Sequence, residues 1–570
     1  MSRTKVPLTP QQLRLRENQI FLALAIVVGV LAGLSAVLFS LAISGTTRAF
    51  FGLQPSWMRL LLIPPAVSVI TGVLLYKFFP DVRGSGVPQT EAAFHLNDGV
   101  IPPSVPIGKF LTGVLCIGSG HSMGREGPSV QIGAGIASGI GQWLRLSPER
   151  VKELVPVGAA GALSAAFNTP VAAVVFALEE IIGDMNATLL GSTVVASVAS
   201  VIVARSILGN EPLFHVPVYQ LVHPAELAAY AALGVVGGLV SLGFSRGLLQ
   251  LRAVFRGLPA ASQVVHPAMG GLALGALLLV VPEVMGVGYD SVDQALNGGM
   301  LAGTMAVLLA AKLVGTTISY ASGNAGGIFA PSLYIGAMVG GIVGTAVHWL
   351  APFPTGDTGA YALVGMGALF AGIIRAPMTS VFMIFEITQD YQILVPLMVA
   401  NLIAYWISRR YQPTPVYHAL LQQDGVHLPS AEAKMQGPGR TARDLLDTGL
   451  PIVDANTTLE QAWGLLDASG ASAVLVTGSD GLNGVVARYQ LEAARETGAW
   501  TGAIGPLAGD VGLHAHPDQP IDVVLERLAE AHGVLPIVSR SDIRRVVGAV
   551  TADSILRASR RKPDQAAPGG

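Results

Sequence analysis

The stretch Gly161-Ala-Leu-Ser-Ala-Ala-Phe-Asn-Thr-Pro170, running on through Phe176 to Glu179, decides how this chain is read, because it occurs twice. Gly367-Ala-Leu-Phe-Ala-Gly-Ile-Ile-Arg-Ala-Pro377, running on to Met383 and Glu386, repeats it with one inserted residue; 377 minus 170 and 386 minus 179 are both 207. Gly84-Ser85-Gly86 recurs as Gly286-Val287-Gly288 at an offset of 202, and Gly127-Pro128 recurs as Ala330-Pro331 at an offset of 203. These offsets predict an internal repeat over roughly 20 to 206 and 225 to 408. The apolar stretches after Gly127, Pro170 and Pro377 are each interrupted within about 15 residues, short of the ~20 that a full bilayer crossing needs. Helices that break inside the membrane at matching positions of two repeats point to a transporter whose site lies at the repeat interface.

Composition supports this. Of 570 residues, 51% are hydrophobic and 12% charged, and the mean hydropathy of +0.56 excludes a mainly aqueous protein. Apolar segments recur through the first 410 residues, including 227–245, 391–408 and an uncharged run from Leu313 to Gly356. The expected architecture is an all-α polytopic membrane protein. The single cysteine, Cys116, forms no internal disulfide, and 34 basic against 36 acidic residues leave no excess to recruit nucleic acid. Glycine, at 68 residues, clusters with proline inside apolar segments, as in Ile63-Pro64-Pro65 and at Gly234, Gly237 and Gly238. Such residues suit close helix packing or helix breaks within the membrane.

Arg3, Lys5, Arg14 and Arg16 precede an uncharged stretch from Gln19 to Thr47, too long for a cleaved signal's apolar core and read as the first membrane helix. With Arg409 and Arg410 after the last apolar segment, the positive-inside rule places both ends in the cytoplasm, the protein sitting in the plasma (inner) membrane. The expected order is a cytosolic segment 1–18, membrane repeats 19–206 and 225–420 joined by a linker 207–224, a second linker 421–439, and a soluble module. In that module charged residues return among strand-like runs, Ala473-Val-Leu-Val476 and Val534-Leu-Pro-Ile-Val538, with helical spacing over 458–468 and 520–530. Its halves, 440–498 and 499–560, match each other: Leu459 to Ile521 and Val476 to Val538 are offset by 62, Gly484 to Gly548 by 64. Residues 561–570 read as a disordered tail.

Three motifs sit at predicted helix starts: Gly84-Ser85-Gly86-Val87-Pro88, Gly124-Arg125-Glu126-Gly127-Pro128 and Gly327-Ile328-Phe329-Ala330-Pro331. Proline suits a first helical turn, where its missing N–H has no partner to lose. The glycines leave the backbone free to present its amides, which with the helix dipole make an anion site that carries no full charge. Partial charges bind an anion and release it, as transport requires. Glu126 is then a tethered competitor: ionised it takes the anion's place among the amides, and protonated it swings away. An ionisable group at such depth costs about 2.5–3.5 kcal/mol on insertion scales and is functional by default. Glu179 and Glu180, about 100° apart on a helix, cannot both face one pathway. Ser85 and Tyr417 offer neutral hydroxyl donors suited to a partly dehydrated anion.

In motif order, spacing and repeat offsets, residues from about 20 to 420 resemble the CLC family of chloride channels and chloride/proton antiporters, and the C-terminal module resembles the CBS-domain pair many members carry. The resemblance implies an inverted repeat with broken helices followed by a small cytosolic α/β pair. It implies that Glu126 is the external gate and proton acceptor and Glu180 the internal proton-transfer residue. It further implies that Ser85, Tyr417 and the amides at Ile328 and Phe329, with Gly84, Gly86, Gly127 and Arg125 around them, hold chloride, Lys109 lending electrostatic support. Serine at position 85 favours chloride over nitrate, and a glutamate at 180 favours antiport over channel conduction. The implied assembly is a homodimer in the lipid bilayer with one pathway per subunit, exchanging chloride for protons, without enzymatic chemistry, metal or other cofactor. Val87 stands where isoleucine is commoner and keeps similar volume; Gln89 replaces a carboxylate found in some members, and with His95 raises the question of altered proton access. Nucleotide binding by the CBS-like pair is doubtful: Gly548-Ala-Val-Thr551-Ala-Asp553 has its aspartate one place early, and Gly484-Val-Val-Ala487-Arg-Tyr lacks both polar residues. The alternatives are a passive chloride channel with the same pore, and a membrane-anchored CBS ligand sensor.

Overall fold

The computed structural model describes residues 10–555 except 184–188, 211–212, 215, 217–221, 260–261, 427, 429–440, 448, 479–480, 497–499, 509–512, 532 and 541. Arg3, Lys5, the 561–570 tail and much of both expected linkers therefore lie outside the described residues, as do the side chains of Arg14 and Arg16. The chain divides into two units, Met1–Leu428 and Pro429–Gly570.

The first unit is helical. Its first repeat runs α1 (Pro10–Phe51), α2 (Trp57–Val73), α3 (Val87–Leu96), α4 (Ser104–Gly118), α5 (Glu126–Trp143), α6 (Pro148–Phe167), α7 (Pro170–Phe176) and α8 (Leu190–Leu208). The second runs α9 (Glu226–Gly257), α10 (His266–Leu278), α11 (Tyr289–Leu296), α12 (Ala302–Ala321), α13 (Phe329–Leu350), α14 (Thr358–Ile373), α15 (Pro377–Thr388) and α16 (Leu394–Tyr411), and α17 (Val416–Gln423) follows. The two sets pair off in order, with matching starts at 289 minus 87 = 202, 329 minus 126 = 203 and 377 minus 170 = 207. Among the described residues, six helical stretches are long and apolar enough to cross a bilayer, from Gln19–Phe51 to Phe329–Leu350. Others are not: α15 has 12 residues, about 18 Å at 1.5 Å per residue against a hydrocarbon core of about 30 Å.

The repeats meet back to back. Gly124 and Gly327 exchange both backbone hydrogen bonds, each 2.8 Å, as an antiparallel bridge, and 327 minus 124 is 203, the repeat offset. Equivalent residues that bond each other reciprocally in antiparallel sense lie on a two-fold axis crossing the paired segments, so one repeat is inverted relative to the other. A second reciprocal pair confirms the axis. The Glu179 carboxylate accepts the amides of Met378 (3.1 Å) and Thr379 (2.7 Å) at the start of α15, while Glu386 accepts those of Val171 (2.9 Å) and Ala172 (2.7 Å) at the start of α7. Each short helix thus has its N-terminal amides and dipole satisfied by the other's carboxylate. The chain enters these helices through left-handed residues at equivalent positions, Asn168 (φ 60°) and Arg375 (φ 76°). Arg375 is held there by bonds to the carbonyls of Ser408 (2.9 Å) and Gln412.

Of the two readings the sequence leaves open for its glycine- and proline-rich apolar segments, packing or breaks, packing holds at several positions. The glycines after Gly127 do not interrupt the helix, which runs 18 residues to Trp143; Gly133 instead admits α6, since a Cβ there would lie 2.6 Å from that of Ala162. Likewise Pro64 and Pro65 lie within a continuous α2, and Gly234 and Gly238 mark close contact with α16, where added Cβ atoms would come 2.8 Å from the Ala400 carbonyl and 2.9 Å from Ile407. At these positions small residues serve packing, not breaks.

The second unit contains two small α/β motifs. In one, β1 (Ile452–Asp454) pairs parallel with β2 (Ala473–Gly478), which pairs antiparallel with β3 (Gly481–Ala487); in the other, β4 (Val534–Ser539) pairs antiparallel with β5 (Asp542–Thr551). Equivalent helices Leu459–Ser469 and Ile521–Glu530 cover them, and Gly484 and Gly548 stand opposite Val476 and Ile537. Leu450, Leu475, Val534 and Val538 join the motifs in one apolar cluster. Thr551 and Ser554 cap each other: Thr551 Oγ1 accepts the Ser554 amide (3.1 Å), and the Ser554 hydroxyl accepts the Thr551 amide (3.0 Å).

Candidate functional site

The three predicted helix starts converge. Gly84 (φ 79°) and Gly86 (φ 106°) take conformations that side chains resist, delivering Ser85 to the head of α3. A Cβ on Gly86 would lie 2.6 Å from the Gly127 carbonyl, and one on Gly127 would lie 2.6 Å from Ser85 Oγ. Glycine is therefore what lets α3 and α5 begin side by side. A Cβ on Gly327 would sit 3.2 Å from the Gly127 amide, which brings the head of α13, with Ile328 and Phe329, to the same place. First-turn amides have no acceptor within their own helix, so three sets of donors face one locus.

Ser85 and Tyr417 are both fully buried. The Ser85 amide donates to the Tyr320 hydroxyl (3.3 Å). Ser85 Oγ and the Tyr417 phenol lie beside one another, and neither closes a hydrogen bond with any other group. Two hydroxyls can satisfy at most one of their two O–H donors between them, so at least one buried donor beside the junction of helix heads costs free energy unless something accepts from it. The Phe329 ring is set by Phe167, Phe176 and Phe370 at centroid distances of 5.0, 5.7 and 4.4 Å, which anchors the α13 start.

Glu126, the first residue of α5, is fully buried. Its Oε1 accepts from the Tyr289 hydroxyl at 2.5 Å. Its other oxygen lies beside the amides of Glu126 and Ala330 without closing a hydrogen bond. The carboxyl head is thus folded over the starts of α5 and α13. Arg125 lies within electrostatic reach, but its guanidinium points elsewhere, to the Ser40 hydroxyl, the Ala166 carbonyl (3.3 Å) and the face of Tyr289 (5.6 Å). It does not join the Ser85–Tyr417 cluster.

Lys109 is fully buried and donates to the carbonyls of Val82 (2.9 Å) and Gly84 (2.6 Å). The expected electrostatic support is therefore also a clamp on the turn carrying Ser85. Its counterpart Lys312, not singled out from sequence, bonds the carbonyls of Val284 (3.2 Å), Gly286 (2.8 Å) and Val287 (3.1 Å); 312 minus 109 is 203, so the repeat offset was the signal for it. Gln89 caps its own helix, accepting the Gly86 amide (2.9 Å) and donating to the Arg83 carbonyl (3.0 Å).

Of the two adjacent carboxylates, Glu179 is used as the α15 cap described above. Glu180 is 9% exposed on the π-helical turn Ala177–Ile182 that continues α7, within electrostatic reach of Tyr417 and Arg375. Tyr417 is within such reach of both Glu126 and Glu180. Nearby, buried Glu91 bonds His418 (2.8 Å), and His95 bonds the Ile181 carbonyl (3.0 Å). A cavity of about 680 Å³ is lined by Arg83, Gly84, Gln131, Arg252, Tyr320 and Asp424 among others. In it Arg252 grips Asp424 through bonds of 2.7 and 2.8 Å.

The profile of the family described as Voltage gated chloride channel matches residues 66–409, and that of the CBS domain matches 511–561. The chain is 32% identical over 420 residues to the H(+)/Cl(-) exchange transporter ClcA of Vibrio cholerae, covering 70% of this chain and 89% of that one. It is 33% identical over 435 residues to the chloride channel protein CLC-e of Arabidopsis thaliana, covering 69% of this chain and 60% of the other. The crystal structure of a slow cyanobacterial Cl-/H+ antiporter superposes with a TM-score of 0.66 at 29% identity, over 71% of this chain and 97% of that one.

Proposed function

This chain belongs to the voltage gated chloride channel family and is an integral membrane protein; from that premise we propose that it exchanges chloride for protons. The observation that carries the proposal is the Glu126 carboxyl, buried at the junction of two helix heads and beside the amides an anion would use. Chloride occupies the place where the Ser85 and Tyr417 hydroxyls and the α13 amides meet, each a partial charge, so that binding and release stay balanced. Ionised Glu126 competes for the outer amides; once protonated it loses the charge that held it there, leaves, and carries its proton outward. Glu180 exchanges protons with the cytoplasmic side, Tyr417 standing within reach of both carboxyls. Lys109 supports the anion by fixing the Ser85 turn and by its charge, and Arg125 acts on Glu126 through space. Both termini face the cytoplasm of the inner membrane, and the protein is a homodimer with a pathway in each subunit. The CBS-like pair stabilises the assembly without a nucleotide, since Asp553 stands one place early and the first copy lacks both polar residues.

The test is flux in liposomes holding the purified full-length protein. An imposed chloride gradient is expected to drive protons uphill. Chloride flux with no proton movement would instead establish a passive channel, as the name of the Arabidopsis relative suggests. A membrane-anchored sensor is disfavoured because an anchor has no use for a buried hydroxyl donor without an acceptor; absence of any chloride flux would restore it.

A further inference from the structure

The second repeat has its own glycine turn, Gly286-Val287-Gly288, which carries Val287 where the first repeat has Ser85 and leads to Tyr289, the first residue of α11. The phenol donates to Glu126 Oε1 at 2.5 Å. Its ring is fixed on two sides, by Phe214 edge-on at 5.3 Å and by the Arg125 guanidinium 5.6 Å from its centroid. The turn before it is fixed by Lys312 through the Gly286 and Val287 carbonyls. The ionisable groups facing Glu126 are Arg125 on its own helix start, Tyr289 on α11, Lys312 on α12 and Tyr417 on α17; the hydrogen bond comes from Tyr289.

We propose that Tyr289 is the positioning residue of the outer gate, holding the ionised Glu126 head over the α5 and α13 amides and so setting how much chloride is needed to displace it. This rests on the reading of Glu126 as chloride's competitor. A hydroxyl donating to a charged oxygen is among the stronger hydrogen bonds, and it acts only on the competitor. The equivalent position in the first repeat, 289 minus 202, is Val87, which is buried and has no polar group to offer. The latch is therefore a property of one repeat alone.

Chloride binding to the purified full-length protein, measured by isothermal titration, tests this in two backgrounds. Tyr289→Phe keeps the ring and its packing while removing the donor; chloride is expected to bind about tenfold more tightly, about 1.4 kcal/mol. In a Glu126→Ala background the same change is expected to have no effect. Phe214→Leu, which loosens the ring, serves if the first variant does not fold, with a smaller tightening that also vanishes in Glu126→Ala. Equal effects in both backgrounds, or none with Glu126 present, would overturn the proposal. If Glu126→Ala alone fails to tighten chloride, it is the competitor reading that falls.

Discussion

The two repeats agree where a residue serves the scaffold and differ where it is proposed to serve transport. Lys109 and Lys312 each clamp the carbonyls of a glycine turn, and Glu179 and Glu386 each cap the other repeat's short helix. Ser85, Glu126 and Glu180, by contrast, have as counterparts Val287, Phe329 and Ile387, at offsets of 202, 203 and 207. A two-fold arrangement needs matched pairs to hold two inverted halves in register. A pathway from one side of a membrane to the other is polar along its length and cannot use the same residue at both ends. Symmetry thus marks what holds the fold, and its loss marks what moves the ions.

The sharpest way to break this contrast is at the unmatched residues. Glu126→Gln is expected to abolish proton coupling completely in the liposome assay, and Glu180→Gln to reduce proton movement severely while chloride flux continues. Full coupling in either variant would remove that residue from the mechanism. Ile387→Leu, at the position equivalent to Glu180, should leave coupling in place.

At the matched lysines the expected loss is one of stability. Lys109→Met and Lys312→Met each leave buried carbonyls without a donor, at about 1–3 kcal/mol per group, so thermal unfolding in detergent should fall by similar amounts for both. If Lys109→Met weakens chloride binding far more than Lys312→Met at equal stability, its charge acts on the anion beyond the clamp. Smaller still is the change at the caps. Glu179→Ala and Glu386→Ala should each cost roughly 1 kcal/mol, the usual worth of an N-terminal cap, with the proton-to-chloride ratio unchanged. A lost ratio in Glu179→Ala would mean that this carboxylate, and not only its neighbour, handles protons.

Much of this arrangement was legible before the structure. The helix starts at Val87, Glu126 and Phe329 follow from glycine and proline, whose effects are local: one frees the backbone, the other tolerates only a first turn. The repeat was legible because its offsets hold across motifs of different kinds. Tyr289 was not, since nothing near it in sequence announces a carboxylate 163 residues away. Lys312 was legible only through its offset of 203 from Lys109, since a lysine in an apolar segment carries no mark of the carbonyls it clamps. The glycines of α5 and α9 could be read either as packing sites or as breaks, because glycine's helix penalty is modest and close packing against a neighbouring helix, which sequence does not show, offsets it.

What the amino-acid order alone determined is the class of molecule: a chain too apolar for water, doubled, with helix heads built to present bare amides. What it left open was which carboxylate does what. Glu179 and Glu180 differ in sequence by one place, and helical geometry says only that they diverge. Met378 and Thr379, brought up by the second repeat, claim Glu179, while Glu180 lies within electrostatic reach of Tyr417 and Arg375. The reason is that backbone conformation is written in neighbouring residues, whereas the partner of a buried charge is supplied by whatever the fold packs against it.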